Sequence, residues 1–230
     1  EYWQEGLPYL DEVTFRIIAN VDTAMLDIKG GSVDIVPYLT DSQAAELSGQ
    51  FQIISAPSNV VQALFFNCTE GVLVNEKVRQ AICYAIDKEM VSEFVAGGNG
   101  TLISSAMLPT LQDYYVDLND TYGNVANVEM AKQLLAEAGY PDGIDLEITV
   151  PSNYDVHVEA TEVVAEQLKQ ANINVSINAV EWGVWLEETY NGRQYEATIC
   201  GITSDITPGY LLNRFVSGSS KNFINYKINY

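Results

Sequence analysis

Asp205 stands in the segment GITSDITP, after the apolar run 197–200 and ahead of Pro208. Strand ends in α/β sheets present such side chains to a cleft, where a carboxylate can pair with a ligand's ammonium group. An Asx turn, in which the carboxylate serves only its own backbone, accounts for the same residue equally well. The aromatic residues are the second group: the chain has 14 Tyr and three Trp, with Tyr114, Tyr115 and Tyr154 in loops and Trp182 and Trp185 where a helix begins. Amphipathic rings in such places hold an organic ligand through contact area and a few hydrogen bonds. Ordinary core packing is the competing explanation, expected for Trp185 and left open for Trp182.

Covalent chemistry finds less support. His157 is the only histidine, it opens a helical stretch among polar neighbours, and neither GxSxG nor HExxH accompanies it, so it reads as a surface residue. No spacing among the 31 acidic residues singles out a catalytic pair. Cys68, Cys83 and Cys200 lack CxxC spacing and read as small buried apolar groups, although one disulfide plus a free thiol stays open. The glycines of GGNG (97–100) follow a helix and lack the Lys-Ser/Thr of a phosphate loop. DLNDTYGNVANVE places Tyr122 and Val128 where a calcium loop needs glycine and a bidentate acid. No enzyme is specified, and no cofactor or metal is expected.

With 11 basic against 31 acidic residues the net charge is −20, which repels nucleic acid and anionic membrane surfaces. The carboxylates are spread along the chain, as on a solvated surface. No run approaches the ~18 apolar residues of a membrane helix. At 230 residues and 47% apolar content, one large domain or one domain and part of another can be built.

The elements that must position these residues follow from periodicity. Residues 13–19 are β-rich, 23–29 helical with a stop at Gly30 and Gly31, and 33–36 an apolar strand, which reads as β-α-β. A connection and a strand at 51–54 follow, then an apolar strand at 60–66. Asn75 caps a helix with Val78, Ile82, Ala85 and Ile86 inward, and Asp87 caps a second that stops at Gly97. Residues 101–126 form a long aperiodic excursion. Asn127 caps a helix with Ala131, Leu134, Leu135 and Ala138 inward. A strand at 146–150, a helix at 156–170 stopped by a left-handed Asn172, an alternating half-buried strand at 173–179, a helix at 181–190 and a strand at 195–200 complete an α/β order. The polar break at 57–61 is the expected hinge.

The stretch FFNCTEGVLVNEKVRQAICYAIDKEMVSEFVAGGNGTLISSAMLP, followed by AKQLLAEAGYPDG and EWGVWLEETYNGRQYEATICG, resembles the extracellular solute-binding proteins of peptide-type ABC importers, the family of dipeptide, oligopeptide and nickel binding proteins. PYLDEVTFRI and GGSVDI extend the resemblance over essentially the whole chain. It implies a periplasmic-binding-protein-like α/β lobe with a mixed sheet flanked by helices. Residues 1–57 would be the tail of a first lobe up to the hinge, and 58–230 a second, peptide-binding lobe incomplete at its end. Leader, lipid-anchoring cysteine and most of lobe one would lie outside this fragment.

The resemblance implies capture of a peptide by two-lobe closure and delivery to an ABC permease, by a monomeric extracellular, cell-surface lipoprotein or periplasmic component that does no chemistry and binds no nucleic acid. Oligosaccharide, nickel and haem are the other ligands of such proteins, and an α/β hydrolase is the alternative of a different class. Asp205 matches the aspartate that receives a peptide's α-amino group, and Tyr154 resembles a ligand-facing tyrosine. Ser152 stands where dipeptide binders carry an arginine for the peptide carboxylate, which favours longer peptides, and Ile202 replaces a common tryptophan. The expected ligand wall comprises Gly98, Ser105, Met107, Tyr154, Trp182, Thr203, Ser204 and Asp205.

Overall fold

A computed structural model describes residues 6–18, 20–56, 58–203 and 207–227. The chain divides into two compact units, Glu1–Ile54 and Ser55–Tyr230.

The first unit contains two helices, α1 (Val21–Lys29) and α2 (Asp41–Leu47). Asn20 caps α1 by accepting from the Thr23 N–H at 3.0 Å. Thr40 and Gln43 cap α2 reciprocally, each side chain satisfying the other's backbone N–H. Met25, Ile28 and Leu47 form a small core with Val33, Val36, Leu39 and Phe51 against it, and Lys29 pairs with Glu46. The strands expected at 13–19, 33–36 and 51–54 are not formed among the described residues of this unit. A strand needs a partner's N–H and C=O groups, and here no ladder supplies them. Phe15 and Ile17 are accordingly 91% and 98% exposed. Helix α2 forms over a stretch for which the periodicity predicts no element, and its last two residues enter the connection expected from residue 46.

The second unit is built on a four-stranded mixed sheet, β1 (Val60–Phe66), β2 (Ile144–Pro151), β3 (Ile173–Val180) and β4 (Ala197–Thr203), in the order β1-β4-β2-β3. β1 runs antiparallel to β4 through seven paired positions, whereas β2 is parallel to both β3 and β4. The β2–β4 seam holds only two pairs, Ile148 with Ala197 and Thr149 with Thr198. Gly143 opens β2 at φ +100°, where an added Cβ would lie 1.9 Å from the Asn172 carbonyl oxygen. Asn172 itself is left-handed at φ 62°, as its position after the helix foretells.

Helices α3 (Glu76–Ala85), α4 (Lys88–Ala96), α6 (Val128–Glu137) and α7 (Asp155–Lys169) accompany the sheet, with a single turn α5 (Asn119–Tyr122) in the long excursion. Asn75, Asp87 and Asn127 cap α3, α4 and α6 through side-chain oxygens. Val78, Ile82, Leu135, Val164 and Leu168 pack against Leu146, Ile148 and Ile199. The opposite core joins Val61, Cys200 and Ile202 to Met107, Trp185, Leu211 and Phe223. Helix α8 (Trp182–Val184) passes directly into a π-helical stretch, Trp185–Asn191, where an ordinary α-helix was expected. Helix α9 (Pro208–Leu212) begins with proline in its first turn. β3 is more open than the expected half-buried strand, with Ile177 40% exposed, because it forms the sheet's edge.

Candidate functional site

The carboxyl ends of β2, β3 and β4 lie at one edge of the sheet, since the three strands run parallel. Two backbone tethers hold the exits of β2 and β3 together. The Ser152 N–H donates to the Val180 carbonyl at 2.8 Å, and the Trp182 N–H donates to the Asn153 side-chain oxygen at 2.8 Å. Tyr154 and Trp182, 28 positions apart in the chain, thereby become neighbours: their centroids are 5.4 Å apart at 80°, edge to face.

Trp182 is half-buried and stacks on Trp185, with centroids 5.1 Å apart and planes 6° from parallel. Trp185 is 2% exposed and donates its Nε1–H to Thr198 Oγ1 at 3.0 Å. Further rings continue inward through Tyr190 and Phe223 to Phe65. Trp185 is thus the core residue expected, while Trp182 and the 43% exposed Tyr154 offer apolar area at the edge.

His157 overturns the surface reading. It is buried at 9% exposure, and its Nε2 accepts the Gly201 N–H at 2.9 Å. Its Nδ1 lies 2.8 Å from the Gln62 side-chain amide, and the Val156 carbonyl is 3.0 Å from the same amide group. The Tyr154 ring lies 5.5 Å away. Burial depresses the pKa of His157 below its usual value. Gly201 makes the fit possible, because a Cβ there would stand 3.1 Å from the imidazole and 2.9 Å from Val60.

Thr203 ends β4 and is exposed; Ser204 and Asp205 lie outside the described residues. α4 begins beside the last turn of α7, where Gln167 binds both the N–H and the carbonyl of Asp87, and it packs along that helix. Gly98, exposed at φ 76°, follows the end of α4. Ser105 has a buried Oγ with no protein partner, and Met107, at 4% exposure, belongs to the core around Trp185. Asn153, Thr198, Gln62 and Gly201 are the positioning residues that sequence reasoning did not single out. Gln62 alone carried a signal, as the polar interruption of the apolar run VVQALFF.

The three cysteines are free. Cys200 is buried with its thiol pushed up to about 12, whereas Cys68 and Cys83 are half-buried, a correction to the expectation that all three are core groups. Among the described residues no three His, Cys, Asp or Glu side chains gather as a metal site, and no helix is long and apolar enough to cross a membrane.

The family of bacterial extracellular solute-binding proteins, family 5 (middle), matches residues 1–223. The chain belongs to this family. Family 5 relatives include the glutathione-binding protein GsiB of Salmonella choleraesuis (strain SC-B67), 27% identical over 203 residues, covering 86% of this chain and 38% of GsiB. The oligopeptide-binding protein AppA of Bacillus subtilis (strain 168) is 29% identical over 237 residues, covering 96% of this chain and 43% of AppA. The solved structure of Bacillus subtilis AppA in complex with a nonapeptide superposes with a TM-score of 0.77 at 24% identity, over 99% of this chain and 51% of that one. The ABC transporter substrate-binding protein CtaP of Listeria monocytogenes gives a TM-score of 0.82 at 21% identity, over 92% and 44% respectively. The fold is therefore the periplasmic-binding-protein-like α/β arrangement with a mixed sheet. The chain spans about two-fifths of the length of these curated relatives.

Proposed function

We propose that this family 5 chain is part of the substrate-binding component of an ABC importer, which captures peptides by closure of two lobes and presents them to a membrane permease. The observation that carries the reading is the tethered Tyr154–Trp182 corner at the carboxyl edge of the sheet, in a chain matched to family 5 over residues 1–223. Such an edge is where α/β sheets bind ligands, and paired rings hold peptide side chains through contact area. The oligopeptide-binding name of AppA supports the peptide class.

In this reading residues 1–57 are the tail of the first lobe and 58–230 the second lobe. The protein acts outside the cytoplasm as a monomer, periplasmic or anchored as a lipoprotein, and performs no chemistry. The wall consists of Gly98, Ser105, Tyr154, Trp182, Thr203, Ser204 and Asp205, with Met107 behind it, and Asp205 takes the peptide's ammonium group. Ligand closure creates the surface that the permease recognises.

Calorimetry on the full-length protein with free and N-acetylated tri- to pentapeptides tests this. A charge-assisted hydrogen bond is worth about 1.5–3 kcal/mol, so Asp205→Asn weakens free peptides about tenfold to a hundredfold. Acetylated peptides bind the wild type poorly and lose little more on mutation. Equal affinity for free and acetylated peptides removes Asp205 as the anchor and turns the reading toward a ligand such as a sugar.

A further inference from the structure

We propose that His157 is a positioning residue for the ligand wall, a neutral imidazole that stands in for a missing strand, and that its protonation in acid loosens the end of β4 and lowers ligand affinity. The β2–β4 ladder stops at Thr149 and Thr198, yet β4 continues to Thr203. Beyond the stop, the Gly201 N–H points away from β1 and has no β2 carbonyl to meet. His157, from the first turn of α7, accepts it at 2.9 Å. One ring thus links the β4 segment that leads to Thr203 with the turn of α7 that begins at Tyr154, and Gln62 on β1 closes the third side.

Acceptance from Gly201 requires an unprotonated Nε2, so the native ring is neutral and carries its single proton on Nδ1, toward the Gln62 amide. A proton added there places an N–H against an N–H, and the link is broken. The groups that meet the ring are uncharged: the Gln62 amide from β1, the Gly201 amide from β4, and the Tyr154 ring before α7. Asp155 and Glu159, the charged neighbours on α7 itself, are exposed. Among the described residues nothing compensates an imidazolium here.

The ligand consequence rests on the proposed peptide-binding reading; the ring-to-strand link does not, and the experiment separates them. In full-length protein labelled with 15N-glycine, the Gly201 amide and the His157 Cε1–H are followed by NMR from pH 7.5 to 4.5. The two signals move together with one apparent pKa below 6.5 in the wild type, and the Gly201 step is absent in His157→Gln, whose Oε1 accepts without titrating. A Gly201 signal that ignores the histidine titration, or that moves alike in the variant, overturns the link. Binding of mixed tri- to pentapeptides is measured over the same range. Wild-type affinity falls about tenfold more than that of His157→Gln between pH 7.5 and 4.5, the size expected for one lost hydrogen bond. Parallel pH profiles overturn the coupling to the ligand. Absence of peptide binding at pH 7.5 counts against the peptide reading, and the NMR result then decides the link. Should His157→Gln not fold, the joint titration in the wild type is decisive by itself.

Discussion

The indole of Trp182 lies flat on that of Trp185, centroids 5.1 Å apart and planes inclined by 6°. A half-buried ring at the sheet edge is therefore carried by a ring that is 2% exposed and hydrogen-bonded to Thr198. The two have unequal jobs, which substitution separates.

Trp185→Phe removes the Nε1–H that Thr198 receives and leaves space in the core. It is expected to cost about 2 kcal/mol in urea unfolding of the full-length protein and to weaken ligand binding through its neighbour. Trp182→Ala is expected to cost under about 1.5 kcal/mol, because the ring is partly in water already, yet to reduce peptide affinity at least as much as Trp185→Phe. The reverse order of stability losses would contradict the assignment of roles.

Gly201→Ala tests the fit of strand against imidazole. The new methyl would stand 2.9 Å from Val60 Cγ1, which is 47% exposed and can shift, and 3.1 Å from the buried His157 ring, which cannot. Overpacking of this kind costs about 1–3 kcal/mol, seen as a lower Tm, and the displaced ring should recover a more ordinary titration. An unchanged Tm would show that the site has room to spare.

Stability should depend on pH through His157. Its folded pKa lies below the ordinary 6.5, so between those two values the unfolded chain holds more protons than the folded one. The contribution is complete above about pH 6.5 and is lost as pH falls toward the folded value. Urea midpoints of wild type and His157→Gln at pH 7.5, 6.5 and 5.5 should diverge only on the acid side, the carboxylates common to both cancelling in the difference.

Thiol reagents should distinguish the cysteines. Burial raises all three thiols, Cys200 most, to about 12, and Cys200 is also closed to solvent. Native protein should show slow modification of Cys68 and Cys83 and none of Cys200 until denaturant is added, measured by mass spectrometry of labelled peptides. Rapid native labelling of Cys200 would mean that β4 opens readily.

Local signals are legible in the chain. Asn75, Asp87 and Asn127 cap the helices they were expected to cap, and Asn172 adopts its left-handed turn, because each choice is settled within four or five residues. The box Thr40-x-x-Gln43 was equally local, and reading it would have found α2. Pairing is not local: residues 13–19 have strand composition, but the described part of that unit offers them no ladder. At the edge, Tyr154 and Trp182 were visible as types, whereas the Asn153 tether that unites them depends on two strands meeting in register. His157 looked exposed because its helical neighbours are. Its burial is imposed by Gln62 and Gly201, which lie 95 and 44 residues away along the chain.

The two-pair seam between β2 and β4 makes the sheet nearly a pair of ribbons, β1 with β4 and β2 with β3, fastened at one end and parted at the other. At the parted end β2 gives β4 no row of donors and acceptors, so the Gly201 N–H is met by a side chain set into the gap. Those side chains can be exchanged by mutation without breaking a ladder. Such a fork leaves the side chains in the gap free to vary while the scaffold beneath stays the same.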